Sequence, residues 1–173
     1  MKPKLPTATI AEHDGLRTLH LGDTPWVQGA MLVRAPRLIV LEYVQRMMAW
    51  MLWRPSDELA RGHAVQLGLG AGAITRFCHS VLRMERVTAV ELNPGVIAAC
   101  RHAFRLPDDD ARLRVIEGDA AAWVADPAHL QCADVLNVDL YDHEAAAPVL
   151  DSAAFYAGCR AVLGHGGGMS VNL

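Results

Sequence analysis

The sequence predicts an α/β fold with a doubly wound, mainly parallel sheet, preceded by a small β-hairpin region. The first observation is the regular alternation of apolar strand-like and helix-like runs from His63 onward. The second is the run 65–73, in which an apolar strand leads into three glycines at alternate positions, followed by an apolar helix-like stretch. Such alternation is typical of a parallel sheet that helices cover on both faces.

The composition is consistent with one domain and argues against several partners. The chain has 173 residues, of which 52% are hydrophobic, and a formal net charge of −3. This charge provides no basic surface for a phosphate backbone, so we expect no nucleic acid partner. The four cysteines form no C-x-x-C pair, which favours reduced thiols and a cytoplasmic protein. The apolar stretch 38–53 contains charged residues and is too short to cross a bilayer, so we expect no membrane partner.

The N-terminal region is predicted to contain short strands and one helix. Residues 7–33 alternate loosely between apolar and polar positions and carry glycines and prolines, which predicts hairpin strands such as Leu16–His20. Pro36 predicts the start of a helix over about 37–53, and Pro55 predicts its end.

The rest of the chain is predicted to alternate strands with helices. The predicted strands are 63–69, 86–91, 112–117, 133–139 and 169–173. The predicted helices are 73–83, one that Asn93 caps and Pro94 begins, a short one after Asp119, and 152–163, which Ser152 caps and Gly164 ends. We therefore divide the chain into a hairpin region with its helix, 1–55, and a larger domain, 56–173. The final apolar strand predicts either a partner subunit at this sheet edge or a shortened form of a longer protein.

The glycine run predicts a nucleoside pocket beyond the carboxyl ends of the strands. Gly68, Gly70 and Gly72 fit the G-x-G-x-G pattern of adenosylmethionine-dependent enzymes, and Ala73 also completes the dinucleotide pattern G-x-G-x-x-A. Glu91 follows the next strand at about the separation at which an acidic side chain binds ribose hydroxyls. The alternative is a tight turn that binds nothing.

Further acids follow the later strands of the predicted sheet. Asp119 and Ala120 can read adenine through a carboxylate and a backbone amide, or Asp119 can simply cap a helix. Asp139 ends the fourth strand, and Asp142 lies in the loop after it. Two carboxylates at a pocket mouth can hold an ammonium group and deprotonate an attacking amine, and burial would raise one pKa. The alternative is a pair of solvated loop acids.

These stretches resemble the polyamine aminopropyltransferases, the family of the spermidine synthases. The matching segments are QLGLGAGAITRF, AVELNPGVIAACR, LRVIEGDAAAW, ADVLNVDLYDHE and FYAGCRAVLGHGGGMSVNL, in family order. The segments TLHLGDTPWVQGAM and LEYVQRMM resemble, more weakly, the small strand domain of the family and the helix that follows it.

The resemblance implies a sheet of the class I methyltransferase type, a homodimer, and a small-molecule polyamine substrate. It implies transfer of an aminopropyl group from decarboxylated S-adenosylmethionine to a diamine, with release of methylthioadenosine. Carried over position by position, Glu91 would hold the ribose with Leu92 beside it, and Asp119 with Ala120 would bind the adenine.

The resemblance also assigns residues to the amine. Asp139 would lie beside the attacking nitrogen, and Asp142 would bind the distal end of the substrate. Tyr43 would help to place the amine, and Gln28 matches the N-terminal glutamine of the family on the co-substrate side.

This chain departs from the family pattern at several positions. Ala71 stands where the family has an aspartate, Val44 where it has a histidine or glutamine, and His143 where it has a proline. Two other functions therefore stay open: a methyltransferase that uses intact S-adenosylmethionine, and a non-catalytic nucleoside-binding subunit. An oxidoreductase fits the pair Asp139 and Asp142 least.

Other chemistry-bearing residues are interpreted as structural. The histidines show no metal-ligand spacing with a third partner, so we expect no metal. The four tryptophans are expected to fill core or interface space: Trp26, Trp50, Trp53 and Trp123.

Overall fold

The computed structural model describes residues 5–141 and 148–173, and these form two β-sheets. The smaller sheet is antiparallel and consists of β1 (Ala8–His13), β2 (Leu16–Leu21) and β3 (Gly29–Leu32). Asp14 and Gly15 join β1 to β2, and both have positive φ. Asp-Gly is a favoured pair for such a two-residue hairpin turn, so the predicted hairpin region is confirmed.

The larger sheet has five parallel strands in the order β6-β5-β4-β7-β8. They are β4 (His63–Leu67), β5 (Arg86–Glu91), β6 (Leu113–Glu117), β7 (Ala133–Val138) and β8 (Leu163–Val171). β4 is the central strand and the first in the chain. β5 and β6 lie on one side of it, and β7 and β8 lie on the other side. The direction of winding changes between β4 and β7, which is the switch point where such sheets bind ligands.

Helices cover both faces of this sheet. They are α1 (Glu42–Met47), α2 (Ala73–Arg76), α3 (Pro94–Ala103), α4 (Ala120–Ala125) and α5 (Ala153–Val162). α1 continues as a 3₁₀ helix over Met48–Trp53, and α2 continues as a π-helix over Phe77–Val81. One hydrophobic cluster packs α4 and α5 against Val65 and Leu136, and another packs α1 and α2 against Ala64 and Val135. Adjacent strand residues point to opposite faces, so the predicted doubly wound architecture is confirmed.

The predicted helix caps are present. The Asn93 side chain accepts a hydrogen bond from the Gly95 N–H at 2.9 Å, and Pro94 begins α3. The Ser152 hydroxyl accepts from the Phe155 N–H at 3.3 Å at the start of α5. Each cap satisfies a backbone donor that the first helical turn leaves without an intrahelical partner.

The helix expected over 37–53 begins five residues later, at Glu42. Leu41 is extended (φ −76°, ψ 130°) and offers no capping side chain, so Pro36 does not begin the helix. The end at Trp53 is as expected, because Arg54 is extended (φ −102°, ψ 137°) and the residue before a proline disfavours the helical region.

Other predicted boundaries shift slightly. Strand 63–69 ends at Leu67, strand 133–139 ends at Val138, and helix 73–83 ends at Val81. The prediction that Gly164 ends the last helix is wrong. α5 ends at Val162, and Leu163 is already extended (φ −72°, ψ 128°), so the chain passes directly into β8. The strand expected over 169–173 is the later part of β8, which ends at Val171.

The hairpin sheet packs against the glycine loop and α3. Leu19, Leu21 and Met31 share a hydrophobic cluster with Leu69 and with buried residues of α3. A Cβ atom on Gly29 would lie 2.5 Å from the backbone nitrogen of Ala71. Only a residue without a side chain permits this approach, so β3 is seated directly on the loop that follows β4.

Two of the four tryptophans that were predicted to fill core or interface space lie in the core, and an interface position for the other two stays a prediction. Trp50 and Trp123 are buried, whereas Trp26 and Trp53 are 63% and 62% exposed. Among the helices of the described residues, none is long and apolar enough to cross a membrane.

Candidate functional site

A cavity of about 500 Å³ lies at the carboxyl edge of the larger sheet, at the switch point. This volume is in the range of small-molecule sites. The predicted site residues that line it are Gln28, Tyr43, Gly68, Gly70, Glu91, Leu92, Asp119, Ala120 and Asp139. Gly72 is not part of the lining that the described residues form, and Asp142 and His143 lie outside the described residues.

The glycine loop has a left-handed backbone at each of its three alternate glycines, and two of them have no room for a Cβ. Gly68, Gly70 and Gly72 have φ values of +81°, +50° and +69°. A Cβ on Gly68 would lie 2.0 Å from the carbonyl oxygen of Asp139, and one on Gly70 would lie 2.8 Å from that of Gln28. Gly72 lies at the N-cap position of α2. The loop therefore touches both Asp139 and the hairpin region through backbone atoms.

Glu91 is fixed by two backbone donors. Its Oε2 accepts from the Leu69 N–H at 2.8 Å, and its Oε1 accepts from the Asn93 N–H at 2.8 Å. Burial raises the pKa of Glu91, while these hydrogen bonds act in the opposite direction. A carboxylate oxygen has capacity for a second hydrogen bond, so both oxygens can still accept from ligand hydroxyls.

Asp119 has the capping role that the sequence left open. Its Oδ1 accepts from the Ala122 N–H at 2.8 Å, at the start of α4. Asp119 and Ala120 also line the cavity. The cap leaves the second carboxylate oxygen free of this bond, and its use in adenine binding stays a prediction.

Asp139 is a buried carboxylate with two side-chain donors. Its Oδ1 accepts from the Asn172 Nδ2 at 2.9 Å, and its Oδ2 accepts from the Tyr43 hydroxyl at 3.4 Å. Burial raises the pKa of Asp139, and both hydrogen bonds oppose that change. Burial and the charge of Asp139 together raise the pKa of Tyr43 well above its usual range, so the tyrosine stays a donor.

Two residues that line the cavity, Asn172 and Trp26, were not predicted as site residues. The backbone N–H of Asn172 donates to the Val138 carbonyl at 2.9 Å, which places Asn172 beside the residue that follows β7. Trp26 is exposed and lines the cavity, rather than filling the core. The sequence does contain a feature that could have indicated Asn172: it is the first amide side chain after the apolar run of the last strand.

The described residues contain no cluster of three histidine, cysteine, aspartate or glutamate side chains that could hold a metal ion. The site is instead made of carboxylates, amides, a tyrosine hydroxyl and backbone groups. Such a set suits a ligand that carries hydroxyls and amines.

Curated relatives match most of this chain. The polyamine aminopropyltransferase of Neisseria meningitidis is 36% identical over 96% of the chain and 61% of its own length. That of Chromobacterium violaceum is 31% identical over 92% of the chain and 58% of its own length. The chain thus spans about three-fifths of the length of these relatives. No protein-family model matches it.

Solved structures share the fold. A probable spermidine synthase from Corynebacterium glutamicum has a TM-score of 0.73 at 16% identity, covering 90% of this chain and 56% of its own. A spermidine synthase in complex with the transition-state analogue AdoDATO has a TM-score of 0.59 at 19% identity, with coverages of 97% and 58%. Human methyltransferase-like protein 13 in complex with SAH has a TM-score of 0.67 at 21% identity, with coverages of 75% and 64%.

These likenesses confirm the expected class I methyltransferase type of sheet behind a small hairpin sheet. The sequence matches, at 31–36% identity over most of the chain, confirm the expected resemblance. Over most of its length, this chain is similar in sequence to curated polyamine aminopropyltransferases.

Proposed function

We propose that this chain transfers an aminopropyl group from decarboxylated S-adenosylmethionine to a diamine and releases methylthioadenosine. The observation that carries the proposal is the buried Asp139 carboxylate, which Tyr43 and Asn172 hold at the wall of a cavity of about 500 Å³. The glycine loop and Glu91 line the same cavity. The names of the relatives support a transferase that acts in polyamine biosynthesis.

In this proposal the nucleoside occupies the side of the cavity formed by β5 and β6. Glu91 accepts hydrogen bonds from the ribose hydroxyls, with Leu92 beside them, because its two oxygens are already oriented by backbone donors. Asp119 and Ala120 bind the adenine edge. Gln28, from the hairpin region, borders the co-substrate beside Gly70 of the glycine loop.

Asp139 acts as the proton acceptor for the attacking amine. Alkylamines have a pKa of about 10, so the neutral form is scarce at pH 7 and must be generated in the site. Asp139 takes the proton, and the nitrogen lone pair forms a bond to the carbon next to the sulfonium. The carbon–sulfur bond breaks, and its electron pair stays on sulfur. Tyr43 orients the amine, and Asp142 binds the distal end of the substrate.

The first test is Asp139→Asn in an assay of methylthioadenosine release. We expect turnover to fall by about a hundredfold or more, because a general base is lost. Binding of methylthioadenosine, measured by calorimetry, should persist because Glu91 and the glycine loop are unchanged. Asp57→Asn, at an exposed position, is the matched control. Normal turnover by Asp139→Asn would remove Asp139 from this role.

A methyltransferase that uses intact S-adenosylmethionine is the second candidate. Ala71 favours it, because the chain has no carboxylate there to hold an aminopropyl ammonium. The two candidates differ in product, because aminopropyl transfer releases methylthioadenosine and methyl transfer releases adenosylhomocysteine. Thermal shifts with each of these nucleosides measure which one the protein binds better. Turnover by the purified chain alone would eliminate the non-catalytic subunit.

We also propose that the protein is a cytoplasmic homodimer that acts on a small-molecule polyamine and not on nucleic acid. Sedimentation equilibrium measures the oligomeric state. Competition by added RNA or DNA in the transfer assay would count against the stated substrate class.

A further inference from the structure

Arg76 is a buried cation that the proposed reaction does not use. It is the last residue of α2, the helix that follows the glycine loop, and it is 4% exposed. None of the ion pairs among the described residues includes it, and burial lowers the pKa of its guanidinium to about 10. A buried charge is usually paired with an opposite charge, because its removal from water is costly.

The guanidinium binds backbone carbonyls instead of a carboxylate. Its Nη1 donates to the carbonyl of Ala71 in the glycine loop, and its Nε donates to the Pro36 carbonyl at 3.2 Å. Its Nη2 is buried and has no hydrogen-bond partner among the described residues. A buried donor without a partner lowers stability. Proteins keep such unfavourable arrangements mainly at functional sites, which directs attention to the loop that Arg76 holds.

The glycine loop has little preference of its own for the conformation that it adopts. Gly70 and Gly72 flank Ala71 and have φ values of +50° and +69°. Glycine reaches such values without strain, but it also reaches many others. The peptide units between these glycines can therefore rotate at little cost in the free chain. Contacts from outside the loop must select the observed conformation.

Arg76 holds the peptide unit that joins Ala71 to Gly72. The N–H of this unit, on Gly72, donates to the Leu69 carbonyl at 2.8 Å. Its carbonyl, on Ala71, accepts from Arg76. The C=O and N–H groups of a trans peptide point in opposite directions. The unit is therefore held at both ends, and without Arg76 only the bond to Leu69 would oppose its rotation.

A change in this peptide unit would reach the cavity through Leu69. Leu69 lines the cavity, and its N–H donates to the Glu91 carboxylate at 2.8 Å. If the unit rotated, the bond from Gly72 to Leu69 would be lost. The donor that orients Glu91 would then be less firmly placed, and nucleoside binding would weaken.

The second carbonyl extends the effect of Arg76 to the segment before α1. Pro36 lies in this segment, and Tyr43 lies in the first turn of α1. The Tyr43 hydroxyl donates to Asp139. One guanidinium thus joins the loop beside the nucleoside to the segment that leads to the tyrosine.

We propose that Arg76 is a positioning residue, which fixes the glycine loop through the Ala71 carbonyl and joins it to the segment before α1 through the Pro36 carbonyl. Arg76 itself is not part of the cavity lining that the described residues form, so it acts through the backbone. Its effect on nucleoside binding rests on the proposed function, whereas its restraint of the loop does not.

The test compares the full-length wild type with Arg76→Met, Arg76→Lys and Arg17→Met. Arg17 is the matched control, because its guanidinium also donates to a backbone carbonyl, that of Ala103. It also pairs with Glu12 and does not belong to the cavity lining of the described residues. Calorimetry with methylthioadenosine measures affinity, steady-state kinetics give kcat and KM, and amide hydrogen exchange of the free proteins measures opening of the loop.

We expect Arg76→Met to bind methylthioadenosine about tenfold more weakly, because the loop is no longer held in the binding conformation. The KM for decarboxylated S-adenosylmethionine should rise by the same factor with kcat within about twofold of the wild type, since binding common to the ground and transition states is lost. Arg76→Lys should recover part of the affinity, because an ammonium can still donate to a carbonyl.

Arg17→Met should bind methylthioadenosine as the wild type does. Wild-type affinity in Arg76→Met, no recovery in Arg76→Lys, or an equal loss in Arg17→Met would overturn the proposal. If Arg76→Met does not fold, as judged by circular dichroism, Arg76→Gln replaces it with the same expectations.

Hydrogen exchange separates this inference from the proposed function, because it requires no ligand. In Arg76→Met the amides of Leu69 and Gly72 should exchange about tenfold faster or more than in the wild type, and in Arg17→Met they should not. If the wild type binds no methylthioadenosine but this difference is found, the proposed function fails and the restraint by Arg76 stands. If the wild type is active but Arg76→Met changes neither exchange nor affinity, the positioning role fails alone.

Discussion

Asp139 experiences two opposing influences on its ionisation. Burial raises its pKa, while the Asn172 amide and the Tyr43 hydroxyl stabilise its charged form. The same donors fix the orientation of the carboxylate in the cavity wall. Neutral hydrogen-bond donors can thus adjust the proton affinity of this buried carboxylate.

Asn172 is therefore predicted to set the pH range of the reaction. In Asn172→Leu a donor to the carboxylate is lost, so the pKa of Asp139 rises further. In the proposed reaction the active form is the carboxylate, so the acidic limb of kcat/KM against pH should move to higher pH. The pH profile measures this, and Ser170→Ala, two residues earlier in β8, is the control. A lower kcat with an unmoved acidic limb would indicate a structural role alone.

The site residues differ in how well the sequence predicts them. Gly68, Glu91 and Asp139 were found because each follows a recognisable strand, and parallel strands end at one edge of the sheet. Asn172 falls within the predicted apolar strand 169–173, where the sequence pattern does not single it out. Its importance depends on the contact of its side chain with Asp139, which only the packed sheet determines.

At the scale of elements, the glycine loop is the most constrained connection near the site. Gly68 and Gly15 both have left-handed backbones, with φ of +81° and +76°. A Cβ on Gly68 would lie 2.0 Å from a backbone oxygen, whereas one on Gly15 would meet nothing within 4 Å. The pair therefore separates the cost of conformation from the cost of a steric clash.

We expect Gly15→Ala to lower the free energy of unfolding by about 1–2 kcal/mol, the cost of a left-handed alanine. Gly68→Ala should cost more than about 4 kcal/mol, because the clash adds to the same penalty. Urea denaturation measures both. If both variants lose the same free energy of unfolding, the clash at Gly68 has no cost, which would mean that β4 and β7 separate easily at the site.

Strands and caps were predicted better than helix starts. Strands β4, β5 and β7 have apolar runs that end at glycine or acidic residues, and their residue types identify them directly. The helix after Pro36 begins late because Leu41 stays extended without a capping side chain. The direct passage from α5 into β8 could not be predicted, because a glycine after a helix normally indicates a turn.

At the scale of the whole molecule, the site reduces stability at neutral pH. Burial raises the pKa of both Glu91 and Asp139 above their ordinary values. A carboxyl whose pKa is higher in the folded state contributes stability that is fully present below its unfolded pKa and is lost as pH rises through its folded pKa. The fold is thus less stable at pH 7 than it would be with neutral groups at these positions.

Asp139→Asn should consequently be more stable than the wild type at pH 7, and this advantage should shrink toward pH 4. Near pH 4 the wild-type carboxyl is increasingly protonated, so the difference in charge disappears. The free energy of unfolding in urea at the two pH values measures the effect. Asp57→Asn, at an exposed position, should show no such change. A variant that is less stable than the wild type at pH 7 would contradict this account.

The two sheets of the molecule complete one site together. The hairpin sheet contributes Gln28 and Trp26, and the larger sheet contributes the acids and the glycine loop. Gly29 seats the smaller sheet against Ala71. A bulkier residue at position 29 would separate the sheets and open the site from one side.

Because Asp139 lines the cavity, a cation that enters the cavity lowers the proton affinity of its carboxylate oxygen atoms. The carboxyl of Asp139 is then a weaker acid when no cation is bound and a stronger acid when one is bound. Binding of a cation and loss of a proton are therefore coupled at this one carboxylate.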